Sequence, residues 1–105
     1  GVAQGVGQAI MENVVFDESG QVLSGSFMDY ALPRASDLPN FHFASEPSPA
    51  QTNALGVKGC GEAGCAGAMP SVINAITNAL SEIGVSKIDM PATPQKIWRA
   101  IQETK

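Results

Sequence analysis

Between Gly56 and Gly67 the sequence reads GVKGCGEAGCAG, five glycines in twelve residues with one carboxylate, Glu62, among them. So many glycines give a backbone that can turn tightly and bring its N–H groups close to an anion. The segment is neither of the familiar phosphate loops. Lys58 precedes the centre and no Ser or Thr follows it, which breaks the G-x-x-x-x-G-K-[ST] pattern. Gly59-x-Gly61-x-x-Gly64 has dinucleotide-loop spacing, but no strand–helix–strand pattern surrounds it. Glu62 has only small neighbours, and Lys58 is the one nearby side chain long enough to pair with it. A carboxylate held in a water-poor pocket has its charged form disfavoured and becomes a competent proton acceptor near neutral pH. The residues alone leave a second role open, an ordinary first-turn glutamate facing the positive end of a helix.

Other candidates have plainer readings. Cys60 and Cys65 stand five apart and could form a disulfide, half a metal site or two small buried thiols. The only histidine, His42, lies outside any ligand spacing, so a protein-ligated metal is not expected and buried thiols are. Lys58 reads as a solvated lysine, and Arg34 and Asp37, near Tyr30, as braces of an irregular loop. Met11, Met28, Met69 and Met90 suit a core or an interface better than a ligand set.

The elements that would position these residues follow from periodicity. Val2, Val6, Ala9, Ile10 and Val14 have helical spacing, although Gly1, Gly5 and Gly7 weaken that helix. Val14-Val15-Phe16 and Val22-Leu23 flank Asp17–Gln21 as a β-hairpin with Gly20 in its turn, and Phe27–Leu32 could extend the sheet. Residues 31–40 read as irregular. Phe41-His42-Phe43-Ala44 alternates like a strand, with His42 on the face away from the rings. Pro70 suits the first turn of a helix whose stripe is Val72, Ile73, Ile76, Leu80 and Ile83, ended by Gly84. Thr93 and Pro94 open a last helix that Ile97, Trp98 and Ile101 would bury. The fold class expected is α+β, a small antiparallel sheet packed against two or three helices.

At 105 residues the chain is one domain at most, with room for a modest core and little for a cleft of its own. Only 15% of its residues are charged and 44% are hydrophobic. An isolated small domain is richer in charge, so part of the surface should be covered by another domain or chain. It also opens at Gly1 directly on a patterned segment, as a piece of a longer protein would. A net charge of −4 without a basic stripe argues against nucleic acid as a partner. No apolar run is long enough for a membrane span, and the pattern suits a cytoplasmic protein.

Taken whole, GVKGCGEAGCAGAMPSVINAITNAL resembles the C-terminal signature of the molybdenum hydroxylases: xanthine dehydrogenase, aldehyde oxidase and the carbon monoxide dehydrogenase large chain. GVAQGVGQAIMENVVFDESGQVLSGSFMDYALPRASDLP is similar to that family's Gln-Gly helix, hairpin and following loop, and DMPATPQKIWRAI to its terminal helix. The resemblance spans essentially all 105 residues and implies that residues 1–105 are a single C-terminal fragment of a molybdopterin-binding domain. It implies a molybdenum–pterin cofactor (molybdopterin, with the cytosine dinucleotide among its forms) in the intact enzyme and none in the isolated chain. It further implies that Glu62 takes a proton from a metal-bound hydroxyl, whose water-derived oxygen then attacks a small substrate. Gln4 would contact the cofactor, and Gly61 would line the pocket beside it. The partners implied are the rest of the large subunit and iron–sulfur and flavin subunits or domains. Ala63-Gly64-Cys65 stand where xanthine dehydrogenases and aldehyde oxidases carry prolines, which leans towards the carbon-monoxide-dehydrogenase-like branch. A different class of function stays open: a non-catalytic interaction or assembly domain that keeps the same fold as a separate chain.

Overall fold

The computed structural model describes residues 1–104. In chain order it contains helix α1 (Val2–Ile10), a 3₁₀ turn (Ala35–Asp37), helix α2 (Ala63–Ser81) and helix α3 (Pro94–Glu103). The α+β expectation is overturned, because no sheet forms among the described residues. The hairpin shrinks to a single antiparallel bridge, Phe16 to Val22. Its turn is as read, with Gly20 at φ +85° and Asp17 capping the loop. Phe27–Leu32 folds as a turn, in which Ser26 accepts from the Tyr30 amide, and Phe41–Ala44 runs as coil. The physical reason is a lack of partners, since alternating residues make a strand only where another backbone takes up their N–H and C=O groups. Within this chain nothing pairs with 41–44, and Phe41 and Phe43 stand in solvent.

The second correction concerns α2, which begins at Ala63 rather than at Pro70. Pro70 lies inside the helix, where its missing N–H leaves the carbonyl one turn earlier without that bond. The early turns hold because α1 packs directly against them. An ideal Cβ built on Gly5 would sit 2.7 Å from Ala68 Cβ and 2.8 Å from the Cys65 carbonyl oxygen. One built on Gly64 would sit 2.8 Å from the Val2 amide nitrogen. Real side-chain carbons do not approach so closely, so this backbone-on-backbone contact requires glycine at both positions. The weak helix formers that argue against a helix start here are the residues that let the two helices meet.

Several local readings hold. Gly84, at φ +92°, ends α2, and the amide of Val85 reaches back to the Leu80 carbonyl. Thr93 caps α3 through its Oγ1, which accepts from the Lys96 amide, and Pro94 follows at the first position. The amide of Ala92 donates to the carbonyl of Ala9 at 2.7 Å and ties the approach to α3 onto the end of α1.

The core is small: Ala9, Ala68, Leu80, Val85 and Ala92, with no large side chain fully buried. Trp98, expected to anchor α3, is 61% exposed, and α3 buries none of its residues within this chain. The accessible surface is 8186 Å², nearly half as much again as the roughly 5,600 Å² of a self-contained chain of this mass. The radius of gyration is 17.7 Å, against about 13 Å for a compact domain of this length. No described helix is long and apolar enough to cross a membrane.

Candidate active site

Gly1 and Gly5 meet Gly64, Cys65 and Ala68, so the N-terminal ends of α1 and α2 lie at the same place. Gln4 stands on the first turn of α1, and Gly61 and Glu62 immediately precede the first turn of α2. Helical periodicity puts Gln4 on the same flank of α1 as Gln8, four residues on. Gln8 marks which way that flank faces, since the Cys65 thiol donates to its Oε1 at 3.7 Å.

Glu62 is the N-cap residue of α2. Its backbone carbonyl accepts from the Ala66 amide at 2.9 Å, while its side chain makes no capping hydrogen bond. Its N-cap position also suits the first-turn role left open on sequence grounds, a carboxylate facing the positive end of a helix. Lys58 does not hold it, because the one ion pair among the described residues joins Lys87 to Asp89 at 3.2 Å. The carboxylate is exposed and uncommitted. The water-poor pocket expected around it is not built by these 105 residues.

Gly59 and Gly61 border open space, since a Cβ on either would meet no atom within 4 Å. In the first turn of α2 the Ala63 amide donates to the Cys60 carbonyl at 3.2 Å, and the next amides have no helical carbonyl ahead of them. Gln4 and Glu62 are both exposed near this end of the helix pair, where they offer an amide and a carboxylate to a polar organic group. Among the described residues no three His, Cys, Asp or Glu side chains cluster as metal ligands. Cys60 and Cys65 are both free thiols, the first exposed and the second half-buried, so the buried pair expected from composition is not found.

A second polar centre was not anticipated as a bond. The Tyr30 hydroxyl donates to Glu12 Oε2 at 2.7 Å and ties the loop 26–37 to the end of α1. Its hydrogen bond to Glu12, with some burial, pushes the Tyr30 phenol above its usual range. Pro33 closes on Gly7 from the same loop, and the Arg34 amide donates to Asp37 Oδ2 at 2.8 Å, as the bracing role implies. The signal available in the sequence was Gly7, a glycine on the face of α1 that the loop covers. His42 is exposed, as expected, although not on a strand.

Comparison with known proteins fits this geometry. Residues 1–39 match the molybdopterin cofactor-binding domain. The chain is 39% identical over 100 residues to the nicotine 6-hydroxylase large subunit of Paenarthrobacter nicotinovorans, across 95% of this chain and 12% of that protein. It is 30% identical over 103 residues to the carbon monoxide dehydrogenase large chain of Hydrogenophaga pseudoflava, across 98% of this chain and 13% of that one. Its backbone matches quinoline 2-oxidoreductase from Pseudomonas putida 86 with a TM-score of 0.91 and 34% identity, covering 97% of this chain and 13% of that chain. The fold is that of one segment of these large chains. The chain belongs to the molybdenum hydroxylase large-subunit family and spans about 12% of the length of the curated relatives it matches.

Proposed function

We propose that residues 1–105 are the C-terminal part of a molybdopterin-binding domain and form one wall of the active site of a molybdenum hydroxylase, with Glu62 as the catalytic base. The observation that supports this reading is the placement of Glu62: exposed, at the start of a helix whose first turn packs against the start of the helix that carries Gln4, with a carboxylate that neither caps nor pairs. Such a carboxylate is free to accept a proton from a group presented to it.

The residues present fit a molybdenum–pterin cofactor. Open space at Gly59 and Gly61 lets a flat organic group approach the backbone. When bound, that group supplies the Lewis acid and electron acceptor that make a water-derived oxygen acidic and the oxidation of a small substrate possible. The amide of Gln4 hydrogen-bonds the cofactor and fixes its position along α1. Gly61, lacking a side chain, leaves room beside the base. Glu62 accepts the proton at its carboxylate, and the rest of the large subunit excludes water from it. This reading also requires iron–sulfur and flavin subunits or domains to take up electrons. The two free thiols suit a reducing, cytoplasmic setting.

The test is Glu62→Gln in the full-length enzyme, with turnover and molybdenum content measured on one preparation. Glutamine keeps the size of the side chain but accepts no proton. The expected result is full metal loading with turnover reduced by about 10²–10⁴ or more. A loaded variant within a few-fold of the parent would refute the assignment.

A further inference from the structure

Glu62 and Gln4 belong to different helices, so what fixes one relative to the other is the contact between α1 and α2. At its tightest points that contact is backbone on backbone, with the Ala68 methyl and the Cys65–Gln8 hydrogen bond beside it. A Cβ on Gly64 would lie 2.8 Å from the Val2 amide nitrogen, 3.0 Å from the Gly1 carbonyl carbon and 3.1 Å from Gly1 Cα, all backbone atoms that cannot swing aside. A Cβ on Gly5 would lie 2.7 Å from Ala68 Cβ and 2.8 Å from the Cys65 carbonyl oxygen. Gly1 is less tight, with Cys65 N and Gly64 Cα both at 3.2 Å. The spacings Gly1-x-x-x-Gly5 and Gly64-x-x-x-Ala68 put small residues on facing stripes, the arrangement that lets helix backbones approach most closely. Gly67, on the same helix, has nothing within 4 Å of its Cβ position. Gly67 thus points away from the contact, which runs through Gly64, Cys65 and Ala68 in the first two turns of α2, the turns that Glu62 starts.

We propose that Gly64, with Gly5 and Gly1 opposite it, are positioning residues of the active site: the close approach that these glycines allow sets the distance between Glu62 at the start of α2 and Gln4 on α1. The proposal rests on the assignment of Glu62 as the base. A methyl group inserted at the contact must move the start of α2 away from α1 or tilt it, and Glu62 moves with it. Misplacement of a catalytic group by about 1 Å can cost on the order of 10²-fold in rate. A glycine that only helps the chain fold would, when replaced, lower the amount of loaded enzyme without changing what each loaded site does.

The experiment is a graded series in the full-length large subunit carrying its cofactor: Gly67→Ala, Gly1→Ala, Gly64→Ala and Gly5→Ala, with Glu62→Gln alongside. The readout is kcat per molybdenum atom at saturating substrate, together with KM. Gly67→Ala is expected to match the parent. Gly1→Ala should lose several-fold in kcat, and Gly64→Ala and Gly5→Ala about 10²-fold, with KM changing much less. Because Gly1→Ala requires only a few tenths of an ångström of adjustment, it keeps the test alive if the tighter variants do not load metal. Unchanged kcat per molybdenum in every loaded crowded variant would overturn the proposal, whatever their yield. So would a loss that does not follow the order of crowding. If Glu62→Gln is inert while Gly64→Ala turns over normally, positioning alone fails. If Glu62→Gln turns over normally, the base assignment itself fails.

Discussion

The carboxylates of this chain differ most in what already occupies them. Asp17 accepts from the Ser19 hydroxyl at 2.7 Å, the Ser19 amide at 2.8 Å and the Gln21 amide at 2.9 Å, and these bonds, the hydroxyl first, hold its carboxyl below the usual range. A depressed pKa means that the turn gains its support above the ordinary carboxylate range and loses it as pH falls through the lowered value. An NMR titration of Asp17 should find its midpoint below that of the same residue in denaturant; equal midpoints would contradict the turn. Tyr30 has the opposite sign. It is the only tyrosine, and its phenol, hydrogen-bonded to Glu12, is raised above 10.0. The contact is intact below the ordinary phenol range and is lost as pH climbs through the raised value. An alkaline absorbance titration of the single tyrosine should show a later midpoint in the native protein than in denaturant, and Glu12→Gln should bring it back down. Glu62 has no such commitments, but neither have Glu18, Glu46 and Glu82; what sets it apart is its place at the start of α2, beside the contact with α1. The role proposed for it rests on the resemblance carried by the wider Gly-rich motif, because spacing alone favours a helix-end glutamate.

At the scale of elements, the readings that held rest on local chemistry. The Thr93 cap with Pro94, the Gly84 stop and the Gly20 turn each depend on a few adjacent residues. Replacing Gly84 by Ala should cost about 1–2 kcal/mol, because a Cβ is disfavoured at its left-handed φ. Thr93→Ala should cost about 1 kcal/mol through the lost cap. Native-state hydrogen exchange at the last turn of α2 and the first turn of α3 would detect each as faster local opening; unchanged exchange would remove the cap roles. The readings that failed depend on partners far along the chain. Phe41–Ala44 has strand alternation but no second backbone beside it. The first turns of α2 contain Gly64 and Gly67, whose intrinsic preference is against helix, and contact with α1 overrides that preference. Pro70 then misleads, since a proline valued as a helix start sits eight residues into a helix started by other means.

For the whole molecule, composition anticipated what the structure measures. Low charge pointed to a covered surface, and Phe27, Met28, Phe43 and Leu55 are each more than four-fifths exposed. Surface of this extent and character has the scale of an obligate interface rather than of a solitary domain. Produced alone, the chain should self-associate and bind a hydrophobic dye; a strictly monomeric species at high concentration that binds none would contradict the covered-surface account. The same incompleteness explains why no water-poor pocket surrounds Glu62 here. On the proposed function, the wall carries the base and the remainder of the subunit supplies the enclosure. The most direct measurement is the position of the metal itself, from anomalous scattering at the molybdenum edge in crystals of the full-length enzyme. The account predicts a molybdenum site opposite the shared N-terminal ends of α1 and α2, with an oxygen of its ligand shell within about 2.6–3.2 Å of the Glu62 carboxylate, or one water away. A molybdenum peak elsewhere, with Glu62 facing bulk solvent, would contradict it.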